Sequence, residues 1–421
     1  MAEYDDWMVV DDDPERVSKF DEIIETPNDG EGPLTLGIEL EFLVPVVKLG
    51  QKDPHPYEER APYRYKATSE DTSEDTSEDV DNQIAHVLEQ ACPIRFRHER
   101  DDVYHEPHAN VPDYDVWRLL HDDSVVFDSE FITPKEYEWL GKEITSEVMS
   151  CTPSTNYEEK IRDVCRAIRS GRVHLNTTTS VHVHVGHGDE SFSLVTMKKF
   201  ASLIFLMDER LLGLHHPSRQ TQKKHCPLLH ESTHLGSLPL DSLVNLVKKF
   251  SKTPPYESYM QEMERFLPLT TLKCHKSRNL RQVLQGTRSI EELAQFMSDP
   301  LGPRYRATVA FSRFLPAGKT GGNTHTFEFR QMGGCLDPDP IIHWVRVCLA
   351  ITDFARLSTP KRYRNIICST LTDGFSAFDF LKKLDLIKEE NYFRSVVEGY
   401  ARNAGLYEGA DFARLYLPRL E

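Results

Sequence analysis

Apolar residues recur along the chain with two periods. Between Leu34 and Phe42 they alternate, in a β-strand that runs on to Val47, so that Leu36, Ile38, Leu40 and Phe42 share one side and Glu39 and Glu41 share the other. Ser180–Gly186 repeats the pattern, with Val181, Val183 and Val185 opposite His182 and His184. A third strand, Thr324–Gln331, puts Glu328 and Arg330 on one face, and Val116–Leu120 and Phe127–Ile132 read as two more. The other period is helical. It covers Tyr157–Ser170, a long stretch from Ser193 as N-cap to about Leu212 with Gly213 to end it, Pro239–Ser251 and Ser289–Met297. Ile84–Gln90 is a helical fragment, and a helix capped by Asp339 with Pro340 in its first turn buries Ile341, Trp344, Val345, Cys348 and Ile351. Strands separated by long helical stretches, without a 20–50-residue repeat, predict an α+β fold rather than a regular βαβ series.

Charge sharpens the boundaries. Residues 1–33 carry twelve acids and two bases, and Thr68–Asp79, three copies of Thr-Ser-Glu-Asp, carries six acids and no base. Together they supply −16 of the net −17, so the acidity belongs to attachments and the body is close to neutral. The reading is therefore an acidic flexible leader over 1–33 and one catalytic domain over 34–421. That domain carries a solvated acidic insertion at about 50–80 and a helical part from about 340. No basic cluster suits nucleic acid, and no apolar run approaches a membrane span or a secretory signal, which points to the cytoplasm. Eight scattered cysteines without a Cys-x-x-Cys spacing read as reduced thiols. The histidines between Leu214 and Leu238 are irregularly spaced in a polar stretch and read as solvated.

Side chains two apart on a strand point the same way, so Glu39 and Glu41 present two carboxylates to one region. A cation would compensate such a pair if the face is interior; a strand with its acids outward would look the same. His182 and His184 have a spacing suited to a metal, a phosphate contact or neither. Glu328 and Arg330 could serve a cation and an anion, or pair with each other. Glu130 is another lone acid among apolar neighbours. The set is rich in oxygen and lacks thiolate, which suits Mg²⁺ or Mn²⁺.

The ordered motifs, Gly37-x-Glu39-x-Glu41, Asp122-Asp123-Ser124 with Glu130-x-x-Thr133-Pro134, His182-Val-His184-Val-Gly186, and Thr326-x-Glu328-Phe329-Arg330 followed by Leu336-Asp337-Pro338, resemble the amidoligases of the glutamine synthetase and glutamate–cysteine ligase superfamily. The resemblance runs from about Leu34 to Leu357. It implies a curved, mainly antiparallel sheet with helices on its outer face, binding ATP and Mg²⁺ (or Mn²⁺) and forming amides through an acyl phosphate. Carried over by position, Glu39, Glu41, Glu130, His182 and Glu328 match metal ligands and His184 a position near the ATP phosphates. Arg330 and Arg304 match arginines facing phosphate or a substrate carboxylate, and Arg219 is a loop arginine of undefined duty. The implied partners are carboxylate and amine substrates, small molecules or peptides. A metal-dependent hydrolase and an inactive nucleotide-binding module are the rival readings. Gly318-Lys319-Thr320 is not a P-loop, because Arg313 stands where that motif needs glycine.

Overall fold

The computed structural model describes residues 29–402 apart from 31, 54–55, 57–62, 67–73, 93, 95, 99–113, 128–136, 153, 189, 222–225, 251–278, 281–282, 285, 301–305 and 317–323. Its centre is strand β1 (Thr35–Val47), and the described strands form one open, mainly antiparallel sheet in the order β3-β4-β5-β1-β7-β9-β8. These are β3 (Phe96–His98), β4 (Trp117–His121), β5 (Tyr137–Thr145), β7 (Ser180–Gly186), β8 (Val309–Ala310) and β9 (Phe327–Gly333). Two short strands, β2 (Tyr65–Lys66) and β6 (Met149–Ser150), also pair with β1.

The described helices are α1 (Glu74–Ala91), α2 (Tyr157–Ser170), α3 (Leu194–Leu212), α4 (Pro217–Thr221), α5 (Leu229–Ser232), α6 (His234–Ser237), α7 (Leu240–Phe250), α8 (Ile290–Phe296), α9 (Pro338–Leu357), α10 (Pro360–Thr370), α11 (Ala377–Lys383) and α12 (Ile387–Arg402). None of them is long and apolar enough to cross a membrane.

The alternation of β1 decides the layering. Leu36, Ile38, Leu40 and Phe42 are all buried, in one core with Val181, Val183 and Val185 of β7, Phe327 and Phe329 of β9, and the inner faces of α2, α3 and α9. Aromatic contacts seal that layer: Phe200 of α3 stacks on Phe327 with ring centroids 3.6 Å apart, and Phe329 meets Phe200 and Trp344 of α9 edge-on. Each such ring, fully buried, contributes about 1.5–3 kcal/mol. The odd positions of β1 are left to face the opposite side.

Several helix ends follow from local chemistry. The Ser193 side chain accepts the Thr196 N–H at 3.2 Å to start α3, as expected. The start of α9 lies two residues before the expected one, with Asp337 as N-cap and Pro338 in the first turn. Asp337-Pro338 and Asp339-Pro340 offer the same cap-then-proline signal, and the earlier pair takes it. The acidic insertion is shorter than expected, because α1 begins at Glu74 inside the second Thr-Ser-Glu-Asp copy and buries Val80, Ile84, Val87 and Leu88. Acids in a first turn complement the helix dipole, which lets a tract that reads as too charged to pack start a helix.

The histidine-rich stretch also differs from expectation. His215 and His216 are buried, His215 edge-on to Trp344 at 4.4 Å and His216 edge-on to Tyr400 at 5.0 Å. Imidazole rings can pack as aromatics, so a polar count of the stretch misplaces them.

Candidate functional site

The second face of the sheet collects the chemistry, and strand register explains how. Glu39 lies directly across from His182, Glu41 from Glu143 of β5, and His184 from Glu328 of β9. A diagonal row of three successive cross-strand pairs over four adjacent strands therefore carries six ionisable side chains on one face.

Around Glu39 the contacts are direct. One carboxylate oxygen is 2.6 Å from His182 Nδ1 and the other 2.9 Å from His184 Nε2, while His184 Nδ1 is 3.2 Å from Thr326 Oγ1. Burial disfavours charge on Glu39, but the two histidines outweigh it and hold its carboxyl well below the usual range. Glu328, fully buried, accepts Arg306 Nη1 and Arg313 Nε at 3.0 Å each and is also paired with Arg330. Burial would raise its carboxyl, yet these arginines keep it ionised. The Glu328–Arg330 ion pair is thus formed, within a larger network. Arg313 reaches on to Glu39 at 3.4 Å.

A second group lies beside the first. Glu41, Asp122 and Glu143 bring carboxylate oxygens within 4.8 Å of one another, and Glu39, His184 and Glu328 bring two carboxylate oxygens and an imidazole nitrogen equally close. In contrast to Glu328, this trio has few cationic partners among the described residues. Burial pushes Glu41 up to about 8, against Arg330 and Arg219, and burial with the neighbouring acids raises Glu143 well above its ordinary value. Gly141 makes the trio geometrically feasible. A Cβ there would sit 2.3 Å from the backbone oxygens of both Asp122 and Val125, so only glycine lets the 122–125 turn lie on β5.

His182 joins the two groups. Burial and Arg330 depress its imidazole to about 4, so the ring is neutral at physiological pH. The Glu39 carboxylate is the closer partner of Nδ1, at 2.6 Å against 3.3 Å for Arg330, which places the ring proton on Nδ1. Nε2 then carries a lone pair, is buried without a hydrogen-bond partner, and lies 3.5 Å from Glu41. A carboxylate holding one imidazole nitrogen while the other faces acids is how proteins orient a metal-binding histidine. The donor set, carboxylate oxygens and neutral imidazole without thiolate, could hold hard divalent cations such as Mg²⁺ or Mn²⁺.

Of the residues singled out in the sequence, Glu39, Glu41, His182, His184, Glu328 and Arg330 come together here. Glu130 and Arg304 lie outside the described residues. Sequence reasoning missed the roles in this cluster of Asp122, Glu143, Arg306 and Arg313, although Asp122 stood in a motif.

A model of the family described as "Putative amidoligase enzyme" matches residues 32–352, which spans β1 to most of α9 and includes every side chain of both acidic groups. The chain belongs to this amidoligase family. No curated protein and no solved structure gives a significant match.

Proposed function

We propose that this amidoligase is an ATP-dependent carboxylate–amine ligase with a glutamine-synthetase-like catalytic sheet. The observation that carries the reading is the split of the row into two acidic groups, one saturated with arginines and the other short of positive charge around an unpartnered imidazole nitrogen. Uncompensated buried carboxylates are costly, and a divalent cation at Glu41, Asp122, Glu143 and His182 would relieve that cost; Glu39, His184 and Glu328, already matched by arginines, could hold a second cation together with the phosphates those arginines would face. Bound Mg²⁺ would neutralise the ATP phosphates and so make the γ-phosphorus open to attack.

The chain's own residues do the rest. Arg330, Arg306 and Arg313, gathered around Glu328, would offset the negative charge that builds up as a substrate carboxylate oxygen attacks the γ-phosphorus and the bond to ADP breaks. The amine then attacks the carbonyl carbon of the acyl phosphate, phosphate leaves with the bonding electrons, and the amine proton passes to a base. Glu39 holds the His182 ring in one orientation, and the fixed dipoles stabilise the transferring group without reorganising. No covalent nucleophile of the protein is required.

The test is ADP release by purified protein with Mg²⁺, ATP and a metabolite pool, followed by mass spectrometry for an amide product. Release is expected only when a carboxylate and an amine are both present, and to vanish in Glu41→Gln. Product formation without ATP would instead favour a metal-dependent hydrolase, and Mg-ATP binding without turnover a non-catalytic module.

A further inference from the structure

Arg330 is held in place by an unusual part of its strand. On one side, the register between β7 and β9 shifts so that the single residue His182 stands opposite both Arg330 and Gln331. A bulge of this kind leaves backbone groups without ladder partners and turns the side chain. On the other side, β8 pairs only Val309 with Phe329 and Ala310 with Glu328. The peptide of Arg330 therefore finds its partners outside the ladder. Its N–H donates to the Thr308 carbonyl at 2.7 Å, and its carbonyl accepts from Arg219 Nη2 at 2.8 Å and from the Cys226 thiol at 3.3 Å.

Arg219 suits that duty better than contact with a ligand. It is only 2% exposed, and its Nε and Nη1 atoms are shut off from solvent. Its stem crosses β9 at Gly333, where a Cβ would lie 3.3 Å from Arg219 Cδ and 3.4 Å from Cγ. The partner segments are anchored in turn. The buried Asp208 of α3 accepts the Leu229 N–H at 2.6 Å and the Thr308 hydroxyl, and Thr308 N–H donates to the Pro227 carbonyl at 2.9 Å.

We propose that Arg219 and Cys226 are positioning residues that clamp the bulged peptide of Arg330 and so aim its guanidinium at Glu328 and His182. The inference rests on Arg330 serving the phosphate-binding site. A displacement of the guanidinium by about 1 Å is expected to cost up to 10²-fold in a function that depends on its placement.

The experiment is a double-mutant cycle on Mg-ATP affinity by calorimetry, with wild type, Arg219→Met, Arg330→Met and the double variant. Arg219→Met should weaken binding 10- to 100-fold, and the double variant should bind no worse than Arg330→Met alone. Effects that multiply would show Arg219 contacting the ligand itself and would overturn the proposal, as would wild-type affinity in Arg219→Met. Cys226→Ser, which keeps a donor, should stay within about 3-fold of wild type, and Cys226→Ala should fall below it. This pair covers the case in which Arg219→Met does not fold. If wild type binds no Mg-ATP, the ligase reading fails, and the clamp is then read from crystal structures of Arg219→Met and Cys226→Ala. The clamp fails if Arg330 still reaches Glu328 and His182 in both.

Discussion

Gly141→Ala tests how the carboxylate trio is built without touching any of its members. The added Cβ would lie 2.3 Å from two carbonyl oxygens, of Asp122 and Val125, where ordinary contact begins near 3.4 Å, so the turn has to retreat by about 1 Å. Two backbone bonds resist this, Asp122 N–H to the Gly141 carbonyl and Val125 N–H to the Asp122 carbonyl, each 3.2 Å. The strain should destabilise the protein by about 1–3 kcal/mol, as overpacking does. Moving Asp122 away from Glu41 and Glu143 should cost roughly 10²-fold in ADP release, and Mn²⁺ affinity, read by calorimetry without nucleotide, should fall with it. Gly399→Ala is the control, since nothing lies within 4 Å of its Cβ. A folded Gly141→Ala with wild-type turnover and wild-type Mn²⁺ affinity would refute the assembly described for this trio.

Three more outcomes follow from the same contacts. Glu328→Gln leaves three arginines around an uncharged amide, and should lower stability by about 3–5 kcal/mol in urea unfolding and abolish ADP release. Burial raises the Asp208 carboxyl to about 7, so the native state binds this proton more tightly than the unfolded chain; stability should fall as pH rises from about 4 to 7, and Asp208→Asn should remove that component, seen in pH-dependent urea midpoints. Burial depresses His174 to about 4 and His215 to about 3, which has the opposite sign: stability is lost as pH falls from about 6.5 toward 4, and His215→Phe, kept between Trp344 and Phe393, should flatten that acid limb in thermal melts.

The strands that read clearly in the sequence are those whose polar residues all face one way. β1 up to Phe42, β7, and β9 up to Arg330 keep a period of two, and the candidate ligands on them were legible because they are the polar positions of that pattern. β5 is different. Lys142 falls on its apolar face and is fully buried, paired with Asp81 of α1 at 2.5 Å, so the alternation is broken by a residue that looks exposed. With that strand hidden, Glu143 could not be placed opposite Glu41. Arg306 and Arg313 were illegible for another reason: they flank a strand of two residues and act through tertiary contacts with Glu328, which leave no period. Asp122 was visible as a motif residue, but its position depends on Gly141, nineteen positions along the chain. The helix expected over Tyr157–Ser170 has those ends in the structure, where Asn156 caps it and Gly171 follows.

The central place of β1 has a consequence for how the protein matures. Its even positions fill the core and its odd positions supply Glu39 and Glu41, with about 7 Å of backbone between them and neighbouring strands on both sides. A slip of one residue in pairing would drive both carboxylates into the layer of Phe200, Phe327 and Trp344, and expose four apolar side chains in their place. A mispaired chain would therefore lose its core along with its site. Folding thus proofreads the row of candidate ligands, because the pairing that fills the core is also the pairing that puts Glu39 and Glu41 on the opposite face.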